Sequence, residues 1–144
     1  MIKTATKSDA RILAELAIQM WKDNTVIDME KEFEELITNG NAVCFIKYVD
    51  DKAIGFSQCQ LRNDYVEGTE TSPVGYLEGI FIAQEYRHCG YAKELLGECE
   101  KWAKGKNCSE FASDCELDNE NSLNFHIAMG FEETNRIICF RKDL

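Results

Sequence analysis

The chain has 144 residues, 44% hydrophobic and 29% charged, with one proline and no low-complexity tract; this is the composition of one folded domain spanning 1–144, not of a disordered or fibrous protein. Asp and Glu number 26 against 16 Lys and Arg, a formal net charge of −10 that opposes nucleic acid and anionic membranes and favours a cationic partner. No window approaches the roughly 20 apolar residues of a membrane span or a signal-type run, and seven cysteines without a C-x-x-C pair indicate neither a disulfide framework nor a zinc ribbon, so a soluble, cytoplasmic protein with reduced thiols is expected.

From Ser8, a suitable N-cap, the residues Ile12, Leu13, Leu16, Ala17 and Met20 recur at helical spacing and predict an amphipathic helix over 9–21. A second helix is expected behind Asp28 as cap, with Met29, Phe33, Leu36 and Ile37 as its stripe and Asn39-Gly40 as its stop; two helices thus precede the sheet. "AVCFIKYVD" and "AIGFSQCQLR" read as an antiparallel hairpin, and the polar residues 62–73 as a loop. "VGYLEGIFI" is apolar on both faces, as a central strand is, yet carries Gly75, Glu78 and Gly79 in its body.

Beyond it, 91–106 reads as a helix with Ala92, Leu95, Leu96, Cys99, Trp102 and Ala103 on its buried face. A strand "SEFASDCEL", a helix from about 119 to 129 ended by Gly130, and a last strand over 131–142 complete a mixed α/β sheet with helices on its faces.

Chemistry gathers at "EYRHCGYAKELL". A strand, a glycine turn and a helix starting at that turn make an anion site, because the first helical N–H groups have no partner and the helix dipole favours negative charge there. Arg87, His88, Cys89, Gly90, Tyr91 and Ala92 have this form, R-x-x-G-x-A, and match neither G-x-G-x-x-G nor a P-loop.

That turn, followed thirty residues later by "LDNENSLNFHIAMGF", resembles the GNAT superfamily of acetyl-CoA-dependent N-acetyltransferases over nearly the whole chain. The resemblance implies a GNAT fold: a central, mostly antiparallel sheet splayed at a β-bulge, with helices on both faces. It implies that residues 87–92 wrap the pyrophosphate of coenzyme A, that Asn119 bonds its pantetheine region, and that Ile80, Phe81 and Ile82 pair with pantetheine as with another strand. A bulge at Leu77-Glu78-Gly79 would open the slot and direct a backbone N–H at the thioester carbonyl.

More narrowly, "VGYLEGIFI", "CSEFASDCELDN" and "GFEET" look like the aminoglycoside 6′-N-acetyltransferases, which implies antibiotic binding by Trp21, Tyr65, Glu78 and Asp114. Relatives place an acidic residue where this chain has Asn135, with Glu132 and Glu133 close by. Related enzymes are often homodimers, and "RIICF" has the character of an interface strand or an internal one.

An amine attacks a thioester only when unprotonated, so a group must hold the ammonium and accept its proton, directly or through water. Glu78 is assigned to positioning and to relaying a proton through water, because a carboxylate with an ordinary pKa of about 4 is a weak base for an amine. Asp114 is assigned to the substrate ammonium. His126 stands where the superfamily often has a tyrosine acid for the departing thiolate, which can also leave unaided. Cys89 with His88 or His126 has the residue types of a thiol nucleophile, but the same turn is needed for phosphate. No metal is expected. The alternatives are a GNAT enzyme acting on a polyamine or a protein N-terminus, and a non-catalytic acyl-CoA-binding module.

Overall fold

A computed structural model describes residues 1–144. Its elements run β1 (Ile2–Thr4), a 3-10 turn (Lys7–Asp9), α1 (Ala10–Ala17), α2 (Val26–Thr38), β2 (Ala42–Val49), β3 (Lys52–Arg62), β4 (Val74–Ile82), a second 3-10 turn (Gln84–Tyr86), α3 (Tyr91–Gly105), β5 (Phe111–Ser113) and α4 (Glu120–Ala128). The sheet has the order β1-β2-β3-β4-β5, antiparallel throughout except for the parallel pair β4–β5.

The β2–β3 hairpin closes through Asp50 and Asp51, both left-handed (φ 47° and 60°), the backbone that lets a two-residue turn follow the right-handed strand twist. α1 and α2 cover one face of the sheet, where Leu13, Phe33, Ile46 and Phe56 are fully enclosed; α3 covers the other over Ile54, Cys59, Leu95 and Cys99. Phe56 is the hub of the first layer, edge-on to both Phe33 and Trp21 at 6.0 Å between ring centres. Truncating such a ring to alanine costs about 3–5 kcal/mol, so this layer sets much of the stability. On the α3 face, buried Lys47 pairs with Glu94 and lies 4.6 Å from the centre of the Tyr91 ring, which ties the start of α3 to β2. No helix is long and apolar enough to cross a membrane.

The structure corrects several expectations. A strand, β1, precedes the helices; three residues are too few for periodicity to register, and it forms by pairing Lys3 with Ile46 of β2. The first helix ends at Ala17, where the N–H groups of Met20 (3.0 Å) and Trp21 (2.8 Å) both converge on the Ala17 carbonyl and turn the chain. Its start is organised by Asp9 instead of Ser8, the carboxylate accepting from the Thr6 N–H and hydroxyl and from Lys3, each at 2.8 Å. Thr25, not Asp28, caps α2, its hydroxyl accepting from the Asp28 N–H at 3.2 Å. Finally, β5 is only three residues long and no strand follows α4: residues 131–142 pair with no strand of their own chain, because β propensity without an adjacent edge makes no ladder.

Candidate active site

The site is built along β4, from the turn at its C-terminal end to the bulge in its middle. Past Ile82 the chain makes one 3-10 turn and enters α3 through His88 (φ 61°) and Gly90 (φ 83°), both left-handed. Left-handed backbone is unfavourable for side-chain-bearing residues by about 1–2 kcal/mol, and here it turns successive N–H groups outward. The N–H groups of His88, Cys89 and Gly90 have no acceptor in the chain, and those of Tyr91 and Ala92 belong to the open first turn of a 15-residue helix. A Cβ on Gly90 would meet nothing within 4 Å, so glycine is required by backbone and not by space. Arg87 donates from Nε to the Ile82 carbonyl at 2.9 Å and lies over Phe81, latching the turn to the strand. These donors at a helix N-terminus fit a pyrophosphate.

β3 pairs Gln58 with Gly79 and Cys59 with Leu77, which leaves Glu78 as the extra residue of a bulge. On the other side, β5 pairs only with Gly75, Tyr76 and Leu77. Ile80, Phe81 and Ile82 therefore have a ladder to β3 and an open edge opposite, a slot whose strand-like wall suits the amides of pantetheine.

At the mouth of this slot Trp21 comes off the end of α1 onto Gly79: a Cβ there would stand 2.8 Å from two atoms of the indole ring. Only glycine permits that approach. A cleft of about 290 Å³ opens beside Trp21, bounded by Glu32, Phe33 and Leu36 of α2 and Gln58 of β3.

Glu78 and Asp114 are each held by a neighbour. Arg62, at the end of β3, donates from Nε and Nη2 to the two Glu78 oxygens, both at 2.9 Å, and its guanidinium lies 3.5 Å from the centre of the Tyr76 ring. The Tyr76 hydroxyl donates to Asp114, just past β5. Burial pushes the Glu78 carboxyl above the ordinary carboxylate range; Arg62 pulls it back only in part, and Asp114 adds to the rise. Burial and the Asp114 contact likewise push the Tyr76 hydroxyl up, so it stays a donor.

A second carboxylate group lies in the loop 63–73. The exposed Tyr65 donates to Glu67 at 2.8 Å, and Asn135 donates to the other Glu67 oxygen at 3.0 Å. Glu110 anchors this loop by accepting from the Glu70 and Thr71 N–H groups at 2.9 and 2.8 Å.

On α4, the Asn119 side chain accepts from the Ser122 N–H at 3.1 Å and caps its own helix. His126 Nδ1 stands 2.7 Å from the Ser122 carbonyl, which only accepts, so Nδ1 carries the proton. Nε2 lies 2.7 Å from the Ser113 hydroxyl on β5. Cys89 is exposed, its Sγ 3.5 Å from the Arg87 carbonyl. No group of three or more His, Cys, Asp or Glu side chains is placed to hold a metal.

The structure thus gathers Trp21, Glu78 and Asp114 at the splay, sets residues 87–92 at the far end of the same strand, and ties Tyr65 to Asn135 through Glu67. Arg62, Tyr76, Glu67 and Ser113 went unread in the sequence. Tyr76 was legible in principle, two residues before Glu78 on one strand face, whereas Arg62 and Glu67 meet their partners only through the cross-strand and loop geometry.

Comparison with known proteins agrees with this geometry. The sequence profile described as the acetyltransferase (GNAT) family matches residues 11–131. Aminoglycoside N(6′)-acetyltransferase type 1 of Acinetobacter haemolyticus is 38% identical over 143 residues, covering 99% of this chain and 98% of the relative; that of Acinetobacter baumannii is 42% identical over 126 residues, covering 87% and 86%. The structure of AAC(6′)-Iy in complex with the bisubstrate analogue CoA-S-monomethyl-acetylneamine superposes with a TM-score of 0.95 at 36% identity, covering 100% of this chain and 98% of that one. With its open strand edge, its amide-lined turn and these relatives, the chain belongs to the acetyltransferase (GNAT) family, in the branch of the aminoglycoside N(6′)-acetyltransferases.

Proposed function

We propose that this chain, acting as one domain over 1–144, transfers acetyl from acetyl-CoA to the 6′-amino group of aminoglycosides by direct attack in a ternary complex, and so confers resistance to them. The observation that carries this reading is the pair Glu78 and Asp114 at the bulge of β4, a strand whose edge is open over Ile80, Phe81 and Ile82 and which leads into an anion turn. Two carboxylates recognise a polycationic amine, and the −10 net charge steers it inward.

Acetyl-CoA, when bound, supplies the activated acetyl thioester. Residues 87–92 hold its pyrophosphate, Ile80, Phe81 and Ile82 line its pantetheine, and Asn119 flanks that arm. Trp21, Tyr65 and Asn135 orient the sugar, with Glu67 supplying the negative charge beside Asn135. Asp114 holds an ammonium, and Glu78 positions the reacting amine and passes its proton to water. An outward N–H of the splayed β4 stabilises charge developing on the carbonyl oxygen. His126, hydrogen-bonded to Ser113 beside the splay, is the candidate acid for the departing thiolate, which can also leave unaided.

We also infer assembly as a homodimer, on the C-terminal segment. Residues 132–144 are exposed throughout, with Ile137, Ile138 and Phe140 at 67, 78 and 91% exposure, and β5 is an edge strand with no outer mate. We assign this segment to the sheet of a second copy. Three cysteines buried in an apolar core, Cys44, Cys59 and Cys99, suit a reducing cytoplasm.

The test is thiol release from acetyl-CoA with kanamycin or tobramycin as acceptor, compared with spermidine. Release with the antibiotics alone supports the reading; release with spermidine alone points to another cationic amine, and acetyl-CoA binding without release from any amine sinks the enzyme.

A further inference from the structure

The Arg62–Glu78 pair raises a question of charge. An enzyme that recognises a cation with carboxylates has placed its own cation on one of them, in a fork that occupies both oxygens. Surface ion pairs usually contribute little. This one differs in geometry. Glu78 is the bulge residue of β4 and is 17% exposed, Arg62 retains 39%, and the guanidinium rests on the Tyr76 ring, whose hydroxyl reaches the second carboxylate. A planar guanidinium stacked on a ring and forked onto a carboxylate fixes the direction of that carboxylate, which an ammonium on a flexible stem does not.

We infer that Arg62 is a positioning residue for acetyl transfer: clamped on Tyr76, it aims the Glu78 carboxylate at the incoming amine and keeps it ionised. This rests on the role given to Glu78 above. The groups acting on Glu78 are Arg62 from β3, Tyr76 from its own strand and Asp114 beyond β5; Trp21, from the turn after α1, adds no charge. One cation among two carboxylates leaves the cluster a net charge of −1, which a single substrate ammonium neutralises. Without Arg62, the half-buried Glu78 carboxylate keeps only its repulsion from Asp114 and takes up a proton at higher pH.

Arg62→Gln removes the charge and the fork, whereas Arg62→Lys keeps the charge and loses the fork. Rates with kanamycin as acceptor are measured from acid to neutral pH for both, for Glu78→Gln and for the wild type, with acetyl-CoA affinity as the measure of folding. The Gln variant is expected to shift the acid limb of kcat/KM upward by about one pH unit, as loss of a neighbouring opposite charge does. The Lys variant is expected to leave the limb in place while kcat falls roughly tenfold, as misaligned catalytic groups do. Acetyl-CoA affinity stays unchanged in both. An unmoved limb in Arg62→Gln, or wild-type kcat in Arg62→Lys, overturns the role of Arg62; should the Gln variant fail to fold, the Lys variant decides alone. Wild-type turnover by Glu78→Gln instead overturns the reading of the site on which the inference stands.

Discussion

The indole of Trp21 lies against Gly79 so closely that a Cβ at residue 79 would stand 2.8 Å from two ring atoms. One contact therefore joins the end of α1, the Phe56 core and the bulge that isolates Glu78. Gly79→Ala forces the indole off its seat beside the bulge. We expect kcat/KM for the aminoglycoside to fall about 10²-fold, as shifts of about 1 Å in a positioning group do, with acetyl-CoA affinity retained. Steady-state kinetics with titration calorimetry check this; an unchanged kcat/KM removes Trp21 from the acceptor site.

Gly90 yields the opposite pattern. Its φ of 83° leaves room for a side chain but not for the backbone of one, so Gly90→Ala strains the turn by about 1–2 kcal/mol or moves its N–H groups. Acetyl-CoA affinity is expected to weaken about tenfold or more by calorimetry, while kcat at saturating cofactor changes little.

Asp114→Asn keeps the shape that accepts the Tyr76 hydroxyl and removes the charge offered to the substrate. Hydrogen bonds to charged groups contribute about 1.5–3 kcal/mol, so KM for the aminoglycoside should rise roughly 10- to 100-fold, with KM for acetyl-CoA unaffected.

Stability near the N-terminus hangs on Asp9. Burial opposes its charge, but the bonds from Lys3 and from the Thr6 N–H and hydroxyl outweigh it and hold the carboxyl below its ordinary value. A carboxylate depressed in the folded state stabilises above its unfolded pKa of about 4, and that contribution fades as pH falls through the folded value. Asp9→Ala is expected to lose about 1–2 kcal/mol in urea unfolding at neutral pH, the usual cost of losing a helix-start cap, and to converge on the wild type in acid.

For the assembly, light scattering of the full chain should give twice the mass of one chain, and Ile138→Asp with Phe140→Asp should give a monomer. A wild type with the mass of one chain contradicts the role assigned to residues 132–144.

How much of this was legible beforehand follows the range of the interactions. β4 was readable over 74–82 because its run is apolar, and the turn because a glycine must precede a helix that starts there; both signals are local. Glu78 could be singled out because a charge inside a central strand demands a reason. Its partner could not: Arg62 is the last residue of β3, at the junction of the expected strand and loop, and reaches Glu78 only across the bulge. Glu67 could not be linked to Asn135 either, since the two are joined across 68 positions by tertiary contact alone. The expected last strand failed for the same reason, since β-prone residues become a strand only when an edge is beside them.

The central claim is that the splay past Leu77 delivers acetyl to an aminoglycoside amine under Glu78 and Asp114. It is tested most directly by incubating the protein with acetyl-CoA and kanamycin and locating the acetyl group in the product by NMR. The account predicts one acetyl per antibiotic, on the 6′ nitrogen, and a rate that falls steeply in Glu78→Ala with acetyl-CoA affinity retained. Acetylation at another nitrogen, or none in a protein that binds acetyl-CoA tightly, would contradict it.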